Sequence, residues 1–129
     1  MKYGLESRNI HLFLEEYSIK NENGVKLDFR DHPFLWQPYQ DMSSRLAILK
    51  AAQIGFTTLA VIKSLYVAKY KGLNIIYTLP TESDRNDFVA GKVNRIIAQN
   101  PVIQTWTKDK DAVEQKSVGK SLIYYRGTF

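Results

Sequence analysis

Leu46 to Leu49 is a short continuous apolar run, and from Thr58 onward Leu59, Ile62, Leu65 and Tyr66 recur at helical spacing. Between these two patterns only Lys50-Ala51-Ala52-Gln53-Ile54-Gly55-Phe56-Thr57 is left to turn the chain. A buried strand, a small-residue loop and an amphipathic helix in immediate succession constrain the fold more than anything else here. They make half of an α/β unit, with the loop at the carboxyl end of the strand. Such a loop aims backbone N–H groups from the first turn of the helix into one concavity, a geometry that suits phosphate.

The template for that geometry is G-x-x-x-x-G-K-[ST]. Gly55 and Thr57 fall on its second glycine and its hydroxyl, while Lys50 stands at the first glycine and Phe56 at the lysine. The template lysine makes charge-assisted hydrogen bonds worth ~1.5–3 kcal/mol. Phe56 cannot supply them. Lys50 could, since a four-carbon stem at the strand end reaches across a small loop. If no lysine does so, the backbone and Thr57 alone would hold a triphosphate roughly one to two orders of magnitude more weakly. The residues also leave open a plainer reading, a buried strand with a solvated lysine at its end and an ordinary turn.

Around this unit the chain reads as follows. Ile10, Phe13, Leu14 and Tyr17 form an amphipathic helix with Ser7 or Asn9 as cap and Glu15 and Glu16 facing away. Asn21 to Gly24 breaks it, and Val25, Leu27 and Phe29 alternate like a short edge strand. Pro33 and Pro38 bar regular helix up to Pro38, which can itself begin one and place Tyr39 and Gln40 on its first turn. A carboxamide there can pair with the N6/N7 edge of adenine and an aromatic ring can stack on the base, so Gln40 is a candidate adenine reader. The central helix should run from Thr58 to Lys71, closed by Gly72, with Lys63, Lys69 and Lys71 on its solvated face.

Leu73 to Leu79 is a second strand, ended by Pro80. Thr81 caps a helix that carries Glu82 and Asp84 in its first turn and Phe88, Val89, Val93, Ile96 and Ile97 on its apolar stripe, stopping before Asn100-Pro101. Val102, Ile103 and Trp106 read as one more turn of helix, and Ser121 to Tyr125 as a strand paired with Val113 to Ser117 through a turn at Gly119. Two strand-to-helix units in succession predict a parallel sheet flanked by helices, with any ligand at the carboxyl ends of the strands, where the Lys50 loop and the Pro80-Thr81 turn lie.

Composition narrows the class. A chain of 129 residues is one domain, able to bury roughly two-thirds of its unfolded surface. It has no cysteine, so disulfides and thiolate metal sites are excluded, and His11 and His32 lie too far apart in the pattern to predict a metal site. No apolar leader opens the chain and no run approaches a membrane span, which predicts a soluble intracellular protein without a membrane partner. The net charge of +5 is spread among Asp and Glu, permitting a polyanionic partner without requiring one.

In chain order these parts resemble the ATPase domain of the large terminase subunit of tailed double-stranded-DNA phages. The resemblance rests on Pro38-Tyr39-Gln40, on Lys50-Ala51-Ala52-Gln53-Ile54-Gly55-Phe56-Thr57-Thr58 as a divergent [KR]-x-x-Q-x-G-x-[ST]-T loop, and on Ile75 to Glu82 ending in a Pro-Thr turn. It covers Phe34 to Phe129. It implies an α/β, P-loop NTPase-like fold in which residues 1–33 are an N-terminal helix and edge segment. Residues 34–129 would be the front part of the ATPase domain, incomplete because it stops before the Walker B strand.

The implied function is an ATP-driven motor that moves DNA into a capsid. ATP and Mg²⁺ are then the cofactors; double-stranded DNA, the small terminase subunit, the portal and copies of the same chain the partners; and the host cytoplasm of a phage or prophage the location. By resemblance, Gln40 reads adenine, Tyr39 shapes its pocket, Lys50 is the displaced lysine, Gln53 and Thr58 belong to the loop motif, Gly55 admits the phosphates and Thr57 ligates Mg²⁺. The arginine that many members carry before the loop glutamine is Ala52 here. No catalytic residue is identified: no carboxylate pair follows a strand, as phosphoryl transfer to water requires, so hydrolysis by this chain alone is not expected. The alternatives are a non-catalytic α/β binding or scaffold protein that has lost its phosphate site at Phe56, and a superfamily-2 helicase fragment.

Overall fold

In the computed structural model, residues 5–30, 33–42, 55–108 and 112–128 are described. The Leu46 to Leu49 strand, and with it Lys50 and Gln53, lies outside them. Helix α1 spans Ile10–Glu16, and the Asn9 side chain caps it by accepting from the His11 N–H at 2.8 Å. A short turn at Pro33–Leu35 leads into α2, Trp36–Gln40. Helix α3 covers Phe56–Tyr66 and continues as a π-helical turn, Val67–Lys71, closed by left-handed Gly72.

Strand β1 is Ile75–Leu79. Thr81 caps the next helix by accepting from the Asp84 N–H at 3.0 Å. That helix is built of α4 (Glu82–Phe88), a π-helical turn (Val89–Val93) and α5 (Asn94–Gln99), and α6 (Pro101–Trp106) follows with proline at its first position. Strands β2, Gln115–Val118, and β3, Ser121–Gly127, complete the sheet in the order β1-β3-β2.

The sheet is mixed and not wholly parallel, because the strand pair expected through the Gly119 turn is a hairpin. β1 and β3 are parallel, with Tyr77 opposite Tyr125, but β2 runs antiparallel to β3. The cause is local: a turn through Gly119, at φ 61, joins β2 to β3, and so short a link can only return the chain antiparallel. One face of the sheet packs Ile123 and Tyr125 under the helices, with Tyr77 against Phe88 at 5.0 Å between ring centroids. The other face carries Ile76, 70 % exposed, and the exposed Thr78 and Arg126. The core joins this sheet to α1, α3 and the long helix, with Phe13 bridging to Tyr66 and Trp106.

Three other expectations change. Val25, Leu27 and Phe29 are no strand of the sheet; a single antiparallel bridge, Lys20 to Lys26, closes a small hairpin whose Leu27 and Phe29 pack on the core. α2 begins at Trp36, not at Pro38, because the first N–H groups of a helix have no partner to lose and a proline there costs nothing. Of the three lysines expected on a solvated face, Lys71 is exposed, but Lys63 is half-buried with its ammonium on the Pro38 carbonyl, and Lys69 lies over the Trp106 ring at 5.9 Å.

His11 ties α1 to α2. Its ring stacks on Trp36 at 3.6 Å, and Nε2–H donates to the Trp36 carbonyl at 2.7 Å, leaving a buried Nδ1. Burial lowers its pKa from the ordinary 6.5, only partly offset by that hydrogen bond. Because the folded value lies below the unfolded one, the stabilisation is complete above about pH 6.5 and is lost as pH falls through the folded pKa. Chemical denaturation of the parent between pH 7.5 and 5 should show that decline, and His11→Phe should flatten it; equal slopes would refute a neutral buried His11.

Candidate site at the start of α3

The site is built where α3 begins. Gly55 sits at φ 91, ψ 1, a left-handed conformation that turns the chain sharply into the helix, and its carbonyl accepts the Leu59 N–H at 3.0 Å. A Cβ on Gly55 would lie 3.1 Å from Leu35 Cδ1, so the glycine also lets the segment before α2 approach closely. Phe56, Thr57 and Thr58 form the first turn. Phe56 is half-buried at the edge of the core with its ring 6.2 Å from Phe34, and Thr57 is half-buried.

Thr58 is buried, and its hydroxyl donates to Glu22 Oε2 at 3.0 Å. The other carboxylate oxygen of Glu22 takes Lys92 Nζ at 3.0 Å, from the π-helical turn of the long helix. Burial alone would raise the Glu22 pKa, but its own backbone N–H, Lys92 and Thr58 outweigh that and hold the carboxyl below its ordinary value. Tyr39 is 1 % exposed and packs edge-on to Phe29 at 5.5 Å. Burial first, and the Glu22 charge second, push its hydroxyl pKa well above the usual tyrosine range.

Gln40 is exposed at the end of α2. Lys63, two turns into α3, donates to the Pro38 carbonyl at 2.8 Å and to the Asp41 carbonyl. Burial lowers the Lys63 pKa, against the pull of Asp41.

Of the residues expected at the site, Gly55, Thr57 and Thr58 share the first turn of α3. Tyr39 is buried on α2 and feels the Glu22 charge, and Gln40 is exposed beside the Asp41 carbonyl that Lys63 holds. Gly55 contributes a left-handed turn without a Cβ, and Thr57 a half-buried hydroxyl. Thr58 differs, because its hydroxyl proton already points to Glu22. No group of three or more His, Asp or Glu residues able to hold a metal occurs among the described residues. Glu22, Lys63 and Lys92 had no sequence signature, since each acts across dozens of residues on a partner that no local pattern names.

Residues 22–127 match the family described as phage terminase large subunit gpA, ATPase domain. No curated protein and no solved structure matches the chain. The match starts at Glu22, the residue that holds Thr58, and runs to Gly127 at the end of β3. It takes in both candidate segments and the whole sheet, so the chain belongs to the family of phage terminase large-subunit ATPase domains.

Proposed function

We propose that this chain is the ATP-binding part of a phage DNA-packaging motor. The family match over residues 22–127 carries that reading, and the Gly55 turn into α3 supports it. In this reading the phosphates meet the backbone N–H groups at the start of α3, Gly55 admits them, Gln53 completes the loop and Lys50 supplies the cation that Phe56 cannot. Gln40 reads the adenine edge, with Tyr39 fixing α2 from beneath. Thr57 is the hydroxyl for Mg²⁺, which when bound would neutralise phosphate charge. Thr58 acts from behind the loop through Glu22. The wider motor then involves double-stranded DNA, the small terminase subunit, the portal and further copies of the chain in the host cytoplasm. No helix among the described residues is long and apolar enough to cross a membrane.

Calorimetric titration with Mg-ATP tests the reading. The parent chain should bind saturably, and Lys50→Ala and Gln40→Ala should each weaken binding, Lys50→Ala by about tenfold or more. No binding by the parent would overturn it. One observation favours a second reading, a scaffold that keeps the α/β layout without a nucleotide: Phe56, at the position of the template lysine, packs against the core edge. That reading expects no Mg-ATP binding by any of the three proteins.

A further inference from the structure

We propose that Lys63 is a positioning residue that sets α2 relative to the start of α3, and so decides how well the chain distinguishes a nucleotide from a bare polyphosphate. The inference rests on the ATP-binding reading and adds to it the device that joins its base-reading and phosphate-facing parts. α2 has five residues, too few to hold a helix alone. It is anchored from outside at both ends. At its start, His11 Nε2 donates to the Trp36 carbonyl at 2.7 Å. At its end, Lys63 Nζ takes the carbonyls of Pro38 and Asp41, the residues that bracket Tyr39 and Gln40.

The start of α2 is therefore fixed to α1 and its end to α3, and only the second anchor rises from the helix whose first turn faces the phosphates. An ammonium group at a helix C-terminus also satisfies carbonyls that would otherwise lack donors. Without Lys63, α2 keeps its His11 anchor and its buried Tyr39, but the end that follows Tyr39 loses the ammonium that holds its carbonyls, and the exposed Gln40 lies at that released end. The phosphate-facing turn of α3 does not depend on that bond. A loss confined to base recognition follows, because a reader no longer held in place must be ordered by the ligand itself.

Calorimetric affinities for Mg-ATP and for Mg-tripolyphosphate, measured on the parent chain, Lys63→Met and Lys63→Arg, separate this role from a merely structural one. Lys63→Met should lower ATP affinity about tenfold and leave tripolyphosphate affinity within about twofold, while Lys63→Arg, which keeps donors for both carbonyls, restores most of the ratio. An unchanged ratio, or an equal fall for both ligands in a variant that still melts cooperatively, overturns the inference. If Lys63→Met does not fold, Lys63→Gln, which keeps an N–H donor on a shorter stem, is read by the same ratio. A parent that binds neither ligand overturns the ATP reading and this inference together. A parent that binds both equally leaves phosphate binding standing and removes only the base-reading role of α2.

Discussion

Gly127→Ala should abolish or nearly abolish the fold. Gly127 ends β3, hydrogen-bonded in register with Leu79 of β1, where the chain leaving β1 turns at Pro80-Thr81 into α4. A Cβ there would stand 2.3 Å from the Glu82 N, 2.4 Å from the Thr81 carbonyl carbon and 2.6 Å from its oxygen. All three are backbone atoms, so no side chain can rotate away; either the turn or the end of β3 must move. Overpacking costs ~1–3 kcal/mol even where side chains can yield, and here the strand end and the helix cap share the damage. We expect a loss of about 3 kcal/mol or more, a large part of the stability of a small domain. Gly91→Ala is the control: nothing lies within 4 Å of its Cβ position, and in helical backbone alanine should stabilise by ~0.4–1 kcal/mol. Urea unfolding of both variants checks the pair, and a Gly127→Ala curve that overlays the parent would show that the close approach is absent in solution.

The same contrast marks what could be read from the sequence. The central helix, the cap at Thr81, the helical turn at Val102, Ile103 and Trp106 and the turn at Gly119 were legible because each is fixed by residues a few positions apart. The antiparallel β2 followed from its turn, while the parallel pairing of β1 with β3 joins residues far apart in the chain, Ile75 opposite Ile123. What joins the pieces was not legible. Asn100, read only as a helix stop, is 2 % exposed and exchanges hydrogen bonds with the Lys20 backbone, accepting from its N–H and donating to its carbonyl, each at 2.8 Å. Lys63 read as solvent-facing because its spacing on α3 is all the sequence offers, whereas its fate is set by two carbonyls at the end of α2. At the candidate site, Gly55, Thr57 and Thr58 were legible as a turn and a first helical turn. The carboxylate that holds Thr58 was hidden in a loop read for its asparagines and glycine.

Glu22→Ala should be the next most damaging change, and its pH dependence identifies the cause. The Glu22 side chain is 15 % exposed and joins three elements: its own hairpin, Thr58 at the start of α3 and Lys92 on the long helix. Truncation leaves Thr58 without its acceptor and Lys92 without its counter-charge, a loss of about 2 kcal/mol. Lys92 is partly exposed and water can solvate it, which keeps the figure below that of a fully buried pair. Glu22→Gln separates the two bonds, since the amide oxygen can still accept from Thr58 while the charge opposite Lys92 is gone. The folded carboxyl titrates below its ordinary value of 4.5, so its contribution is complete above that pH and is lost as pH falls through the folded pKa. The stability gap between parent and Glu22→Gln should therefore be constant from neutral pH down to about 4.5 and close below it, a window distinct from the His11 decline that begins near 6.5. Urea unfolding across pH 3.5 to 7 reads both. A gap that shows no closing as pH falls below 4.5 would mean that the carboxylate charge opposite Lys92 is not what separates the parent from Glu22→Gln.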